Sequence, residues 1–401
     1  MNSLFLRYHP HMQERFDAVT VEECRAFTGA KWHHFGEEAL ALWVADMDFP
    51  IADEIQQAIQ KRITHNIGYP QHGGDPELLD AIVDRLSGRF GWQIERKDIM
   101  LIPGVVRGLF AGVLALTQPG DGVVTQVPVY PPFLMSIENT GRVVQANPML
   151  QKENTWELDF EQLESLVTPQ TRLLMLCNPQ NPTGRVFSRA ELEKLAEFVL
   201  KHDLLVISDE LHADLIFDGE HTVFASLSPE MESRTLTLYG PGKTFNLAGL
   251  GMGYIISRNP ELLARVRKAT VGMLPEPNVL SMAGTLAAYT QAQQWEREVV
   301  QYLHANRDHL NARLKAELPE VKTAVPEGTY LQLLDFNAYP FAAEAQKVLL
   351  AGGVALNEGT AFGKDYKGYV RINFATSRQI LDQALDLMVK TVQTKTVQQN
   401  A

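Results

Sequence analysis

Asn181, Asp209 and Lys243 stand 28 and 34 residues apart, each just beyond a short apolar run, LLMLC, LLVIS or TLTLY, of strand type. Lys243 follows a Gly-Pro-Gly turn and opens the segment Lys-Thr-Phe-Asn. Gly242-Lys243-Thr244 imitates the end of a nucleotide-binding P-loop, but that loop needs a glycine five residues before the second one, and Thr237 stands there. The other chemistry open to such a lysine is a Schiff base with an aldehyde cofactor, which requires an amine fixed at a strand end and partly removed from water. Taken alone, the stretch is equally compatible with a solvated loop lysine.

An aldehyde on a pyridine ring with a phosphate arm would need further groups, and the chain has candidates for each. A carboxylate should keep the ring nitrogen protonated, and Asp209 ends a buried-looking strand; it could equally cap a following helix. A neutral donor for the ring oxygen is available in Asn181, although NPQNPTG is also ordinary turn chemistry. The Gly104 turn leads into an amphipathic helix, PGVVRGLFAGVLAL, whose first N–H groups suit a phosphate. Tyr130 could cover the ring or sit in the core. Arg371, mid-strand in YVRINFA, could fork onto a substrate carboxylate or lie at a sheet edge.

The elements that must position these residues follow from the hydrophobic pattern. Short apolar runs alternate with helical segments from about residue 99, which predicts an α/β fold with a mostly parallel sheet. Strands are expected at 99–102, 122–126, 173–177, 204–208 and 235–239, followed by the loops PGVVRG, VPVYPP, NPQNPTG, DELHAD and GPGKTF. Ligands bind outside the carboxyl ends of such strands, so the five loops should face one site. Helices are expected at 51–63, 76–90, 282–291, 295–318 and 378–390, with strand-like pieces TYLQLLDF, GVALNEG and GYVRINFA between the last two and a frayed polar tail at the end. This organisation predicts a large α/β domain over 51–283 and a smaller α+β domain over 284–401, joined by residues 1–50.

Composition narrows the function classes. The net charge of −12 argues against nucleic acid and anionic membranes as partners. Cys24 and Cys177 are too few and too far apart for a disulfide framework or a metal cluster. No 18-residue apolar stretch occurs, and MNSLFLRYHPHMQERF has only a three-residue apolar run where a signal peptide would need a core, so a soluble, cytoplasmic protein is expected.

With these residues in order, the chain resembles the fold-type-I pyridoxal-phosphate enzymes of the class I/II aminotransferase superfamily, which have an aspartate-aminotransferase-like fold. The segments KWHHF, VADMDFP, IGYPQ, PGVVRGL, PVYPPF, SDELHADL, KTFNLAGL and PEGTYLQLLDF are similar to the cystathionine β-lyase-like branch of carbon–sulfur lyases, which also includes a regulator of maltose genes. The resemblance implies pyridoxal 5′-phosphate as cofactor, held covalently by Lys243, which also shuttles the proton. It implies Asp209 on the pyridine nitrogen, Asn181 and His212 near the ring oxygen, Tyr130 stacked on the ring, and the N–H groups of Val105 and Val106 on the phosphate. Arg371 would clamp the substrate carboxylate, and Tyr69 would reach the site of a neighbouring subunit, which implies a homodimer sharing its active sites. Where many relatives bring a serine and an arginine to the phosphate, this chain has Gly240 and Gly251, and Arg107 or His72 are the first candidates to compensate.

The implied activity is a β-lyase that cleaves cystathionine or another S-substituted cysteine to pyruvate, ammonia and a thiol. An aminotransferase would use the same residues, and only the branch-specific segments favour the lyase. A regulator with a relic cofactor site is a third reading, against which the intact Lys243, Asp209 and Asn181 argue.

Overall fold

The computed structural model describes residues 10–64 and 66–399. The first nine residues of the amino-terminal segment and the last two of the polar tail lie outside the described residues.

Seven strands form the main sheet: β1 (Ile99–Ile102), β2 (Gly122–Val127), β3 (Val143–Pro148), β4 (Thr171–Cys177), β5 (Leu205–Asp209), β6 (Thr235–Tyr239) and β7 (Gly253–Ile256), in the order β1-β7-β6-β5-β4-β2-β3. β7 runs antiparallel to both neighbours, while the remaining pairs are parallel. All six residues of β2 and all five of β6 are buried, as expected of strands covered on both faces. Five strands lie where the apolar runs put them. The other two carry weaker signals: β3 is a half-exposed edge strand, and the four residues of β7 sit directly behind the glycine-rich lysine loop.

The helices include α1 (Asp53–Ile63), α2 (Pro76–Phe90), α3 (Val105–Leu116), α4 (Val279–Gln291), α5 (Gln293–Glu317) and α6 (Arg378–Gln399). α1 starts two residues later than its periodicity suggests. α4 starts three residues earlier, where the Asn278 side chain caps the N–H groups of Leu280 and Ser281. The tail is not frayed at residue 391, as its polarity led us to expect. α6 continues to Gln399, with Val392 buried and the hydroxyls of Thr391, Thr394 and Thr396 bonded to carbonyls one turn back.

A second, three-stranded antiparallel sheet is made of β8 (Leu331–Asp335), β9 (Asn357–Glu358) and β10 (Tyr369–Asn373), with β10 in the middle. The amino-terminal segment is tied to this part of the chain, since Leu40–Ala41 pairs in parallel with Val354–Ala355. Among the described residues no helix is long and apolar enough to cross a membrane.

Candidate active site

A cavity of about 330 Å³ opens at the carboxyl ends of β1, β2, β4, β5 and β6, and all five strand-end loops contribute to its wall. Its lining includes Val105, Val106, Tyr130, Asn181, Asp209, His212, Lys243 and Arg371, so eight of the nine site residues expected from the sequence converge on it. Tyr69 does not: its side chain is fully exposed.

Lys243 is carried by the turn after β6, which is pinned on two sides. Asn246 donates to the carbonyls of Met47 and Phe49 and accepts from the Met47 N–H, while the Thr244 hydroxyl donates to the buried Asp214, 3.0 Å away. The Lys243 amine lies buried with Nζ 2.7 Å from the Ala45 carbonyl, which also accepts from the Tyr330 hydroxyl at 2.8 Å. Burial lowers its pKa, helped by the Arg371 charge and opposed by Asp46 and Asp209. A larger fraction of neutral, nucleophilic amine results.

Asp209 ends β5, fully enclosed. Burial pushes its carboxyl up to about 7, against the opposing hydrogen bond from the Leu211 N–H. It does not cap a helix; turns of the type Glu210 to Ala213 and His212 to Leu215 follow it instead. A carboxyl in this state has unspent capacity to pair with a cation. His212 is also buried, and the same desolvation lowers its pKa to about 3, so the ring is neutral; its Nδ1 has no hydrogen-bond partner. An orphaned buried nitrogen of this kind calls for a polar ligand group.

Arg371 lies mid-strand in β10, opposite Leu333 on one side and Asn357 on the other. It is not at a sheet edge. Its guanidinium donates to Asn181 Oδ1 at 2.9 Å, to the Trp43 carbonyl at 2.7 Å and to Asn357 Oδ1 at 2.6 Å, and it packs 4.8 Å over the Phe362 ring. Nε has no partner, and among the described residues no carboxylate pairs with the charge. Burial lowers its pKa to about 10, still far above neutrality. An uncompensated buried cation is costly unless a ligand anion completes it. Because Asn181 offers its oxygen to Arg371, its amide N–H groups remain for a ligand.

At the other end of the cavity, Gly104 takes φ +108°, open only to glycine, and turns β1 into α3. The first N–H groups of α3, those of Val105 and Val106, have no intrahelical acceptor and face this wall. Tyr130, at the start of the helix Pro131–Glu138, is partly buried, and burial followed by the Asp209 charge raises its phenol pKa. The donor set therefore fits a phosphorylated pyridine aldehyde: an amine for the aldehyde, a carboxyl for the ring nitrogen, amide and imidazole nitrogens for the ring oxygen, and helix N–H groups for the phosphate.

Sequence reasoning missed the contribution of residues 43–46. Their backbone carbonyls receive Lys243, Arg371, Tyr330 and, from Asn373, two further bonds at 2.6 and 2.7 Å to Val44 and Asp46. Asn357 was missed as well; its only signal is a polar residue within GVALNEG.

Residues 39–387 match the family model for aminotransferases of class I and II. The cystathionine β-lyase PatB of Bacillus subtilis is 39% identical over 378 residues, covering 91% of this chain and 96% of that protein. The arginine–pyruvate transaminase AruH of Pseudomonas aeruginosa is 31% identical over 87% of this chain and 88% of its own. Among solved structures, cystalysin from Treponema denticola, which contains pyridoxal 5′-phosphate, superposes with a TM-score of 0.87 at 32% identity, covering 92% of this chain and 96% of that one.

Proposed function

Because the chain belongs to the class I and II aminotransferase family and has its fold-type-I architecture, we propose that it is a pyridoxal-phosphate-dependent carbon–sulfur β-lyase. Its substrate is cystathionine or a related S-substituted cysteine, which with water yields pyruvate, ammonia and a thiol. The convergence on one cavity of a buried lysine, a buried carboxyl and a buried arginine supports the cofactor chemistry, and what carries the lyase over the aminotransferase is the higher identity to a cystathionine β-lyase, 39%, than to a transaminase, 31%.

When bound, the cofactor condenses with amines and draws electrons away from the substrate's α-carbon. Lys243 would hold the cofactor covalently and, as a free amine, would take up the α-proton, and its lowered pKa favours the neutral form that both roles need. The Ala45 carbonyl accepts from Nζ at 2.7 Å in this structure. Asp209 pairs with the protonated ring nitrogen, which relieves the cost of its own burial. Asn181 and His212 hold the ring oxygen, Tyr130 covers a ring face, and Val105 and Val106 donate N–H groups to the phosphate. Arg371 would fork onto the substrate's α-carboxylate and so fix the orientation of the α-carbon.

Supplied with cystathionine, the protein should release pyruvate, ammonia and homocysteine turnover after turnover without added keto acid, and Lys243→Ala should abolish release. An aminotransferase would stall after one equivalent until a keto acid was given. Stalling of that kind, with no pyruvate from several S-substituted cysteines, would replace the lyase by the aminotransferase.

We also propose a homodimer with shared sites. Tyr69, Ile67 and Ile63 are exposed on one loop and helix end, and Val271 and Met273 on a second loop, which Gly73 and His72 connect through Glu276. Such an apolar surface suits a second copy of the chain. The division into a large domain, 51–283, and a small one, 284–401 with 1–50, is supported by the separation of the seven-stranded and three-stranded sheets. Two buried free cysteines support a reducing, cytoplasmic location.

A further inference from the structure

We propose that Arg107 is the cation through which this chain binds the phosphate of its cofactor; the proposal rests on the cofactor reading above. Arg107 is the only charged residue of α3 and lies in its first turn, which contains no acidic side chain. A cation there is repelled by the positive end of the helix unless an anion joins it. Arg107 is exposed and lines the cavity together with Val105 and Val106, and among the described residues it pairs with no carboxylate. Nη1 instead donates to the Pro103 carbonyl.

That contact brings Nη1 to a carbonyl that Gly251 also borders, since a Cβ built on Gly251 would lie 3.8 Å from the same Pro103 oxygen. Gly251 has φ +62° and ψ +49°, a left-handed conformation that side-chain-bearing residues seldom adopt. An arginine rooted at 251 would be strained, whereas one rooted at 107 reaches the same wall from an unstrained helix. Gly240 is closed off for a different reason. A Cβ there would meet the Met252 carbonyl oxygen at 2.9 Å and Gly253 Cα at 3.1 Å, both of them backbone atoms. No hydroxyl can enter from that side without moving β7. His72 is no substitute, being fully exposed and 3.7 Å from Glu276 around a separate depression.

The test compares pyridoxal 5′-phosphate with pyridoxal, which lacks the phosphate, in equilibrium dialysis against cofactor-free protein. Arg107→Gln should weaken binding of the phosphorylated form by roughly ten- to a hundred-fold, the effect of one charge-assisted bond, and leave pyridoxal binding unchanged. Arg107→Lys, which keeps the charge, should restore most of the preference. A wild-type ratio between the two ligands in Arg107→Gln, or an equal loss of both, would overturn the assignment. Failure of the wild-type protein to bind either ligand would instead sink the cofactor reading on which it rests.

Discussion

Asp209 and Arg371 are both charged groups that burial disfavours, and the cavity leaves each short of a partner that a ligand would supply. For Asp209 the consequence is a pH dependence. Burial first, and the Glu210 charge less strongly, raise its pKa from 3.8 to about 7, against the opposing Leu211 N–H and Lys243. Between those values the folded cofactor-free protein keeps a proton that the unfolded chain has lost, so stability falls as pH rises from about 4 to about 7. Melting curves of the cofactor-free protein should show this decline, and Asp209→Asn should flatten it by a few kcal/mol across the window. An unchanged slope would mean that Asp209 does not titrate there. For Arg371 the consequence is specificity. Lysine cannot form the two-point fork, so Arg371→Lys should raise KM for the amino-acid substrate by about tenfold or more. A KM within twofold of wild type would remove the carboxylate from this residue.

The elements around the lysine are locked by a buried charge network. Arg85 on α2 contacts Asp214 at 2.9 Å and Glu296 on α5 at 2.7 Å, and its guanidinium lies 4.6 Å over the Tyr289 ring of α4. Burial works against ionisation of Asp214, but Arg85 and Arg89 outweigh it and hold its pKa below the usual value. Thr244, next to Lys243, hangs from the same carboxylate. Arg85→Met removes the more deeply buried cation and leaves two carboxylates with the half-exposed Arg89, at a cost of about 3–5 kcal/mol. Chemical denaturation should register that loss. A variant as stable as wild type would show that the network is not what holds α2, α4 and α5 to the lysine turn. None of this is legible in the sequence. Arg85, Asp214 and Glu296 each sit in amphipathic or loop segments where charged residues are normally solvated, and only the packing of those segments brings them together.

At the scale of the whole molecule, the exposed Tyr69 loop is the feature that a single chain leaves unexplained. If two copies share their sites, sedimentation should give a mass of twice 44.9 kDa. Mixed dimers of Tyr69→Phe and Lys243→Ala chains would then contain one site carrying both lesions and one carrying neither. Their activity should recover to about half that of wild type per dimer, since half of the sites are intact. A cofactor-binding monomer, or mixed dimers with no activity, would contradict the shared arrangement.

The sequence by itself determined five of the seven strands of the main sheet, the five loops at their carboxyl ends, and the side chains that those loops carry into one cavity. These features are local: a buried strand must be a continuous apolar run, and a loop that follows it must start at its end. Tertiary structure alone decided the rest. The carbonyls of residues 43–46 have no signature in residue type, yet one of them receives Lys243 from 198 positions away. That Arg107 lines this cavity while His72 stands at a separate depression depended on where helix α3 and the loop around residue 72 are packed. β3 was missed because an edge strand need not be wholly apolar, and β7 because it begins at a glycine directly behind a glycine-rich turn. Whether Arg371 was exposed or enclosed turned on its place in the middle of a three-stranded sheet, which no window of residues around it could reveal.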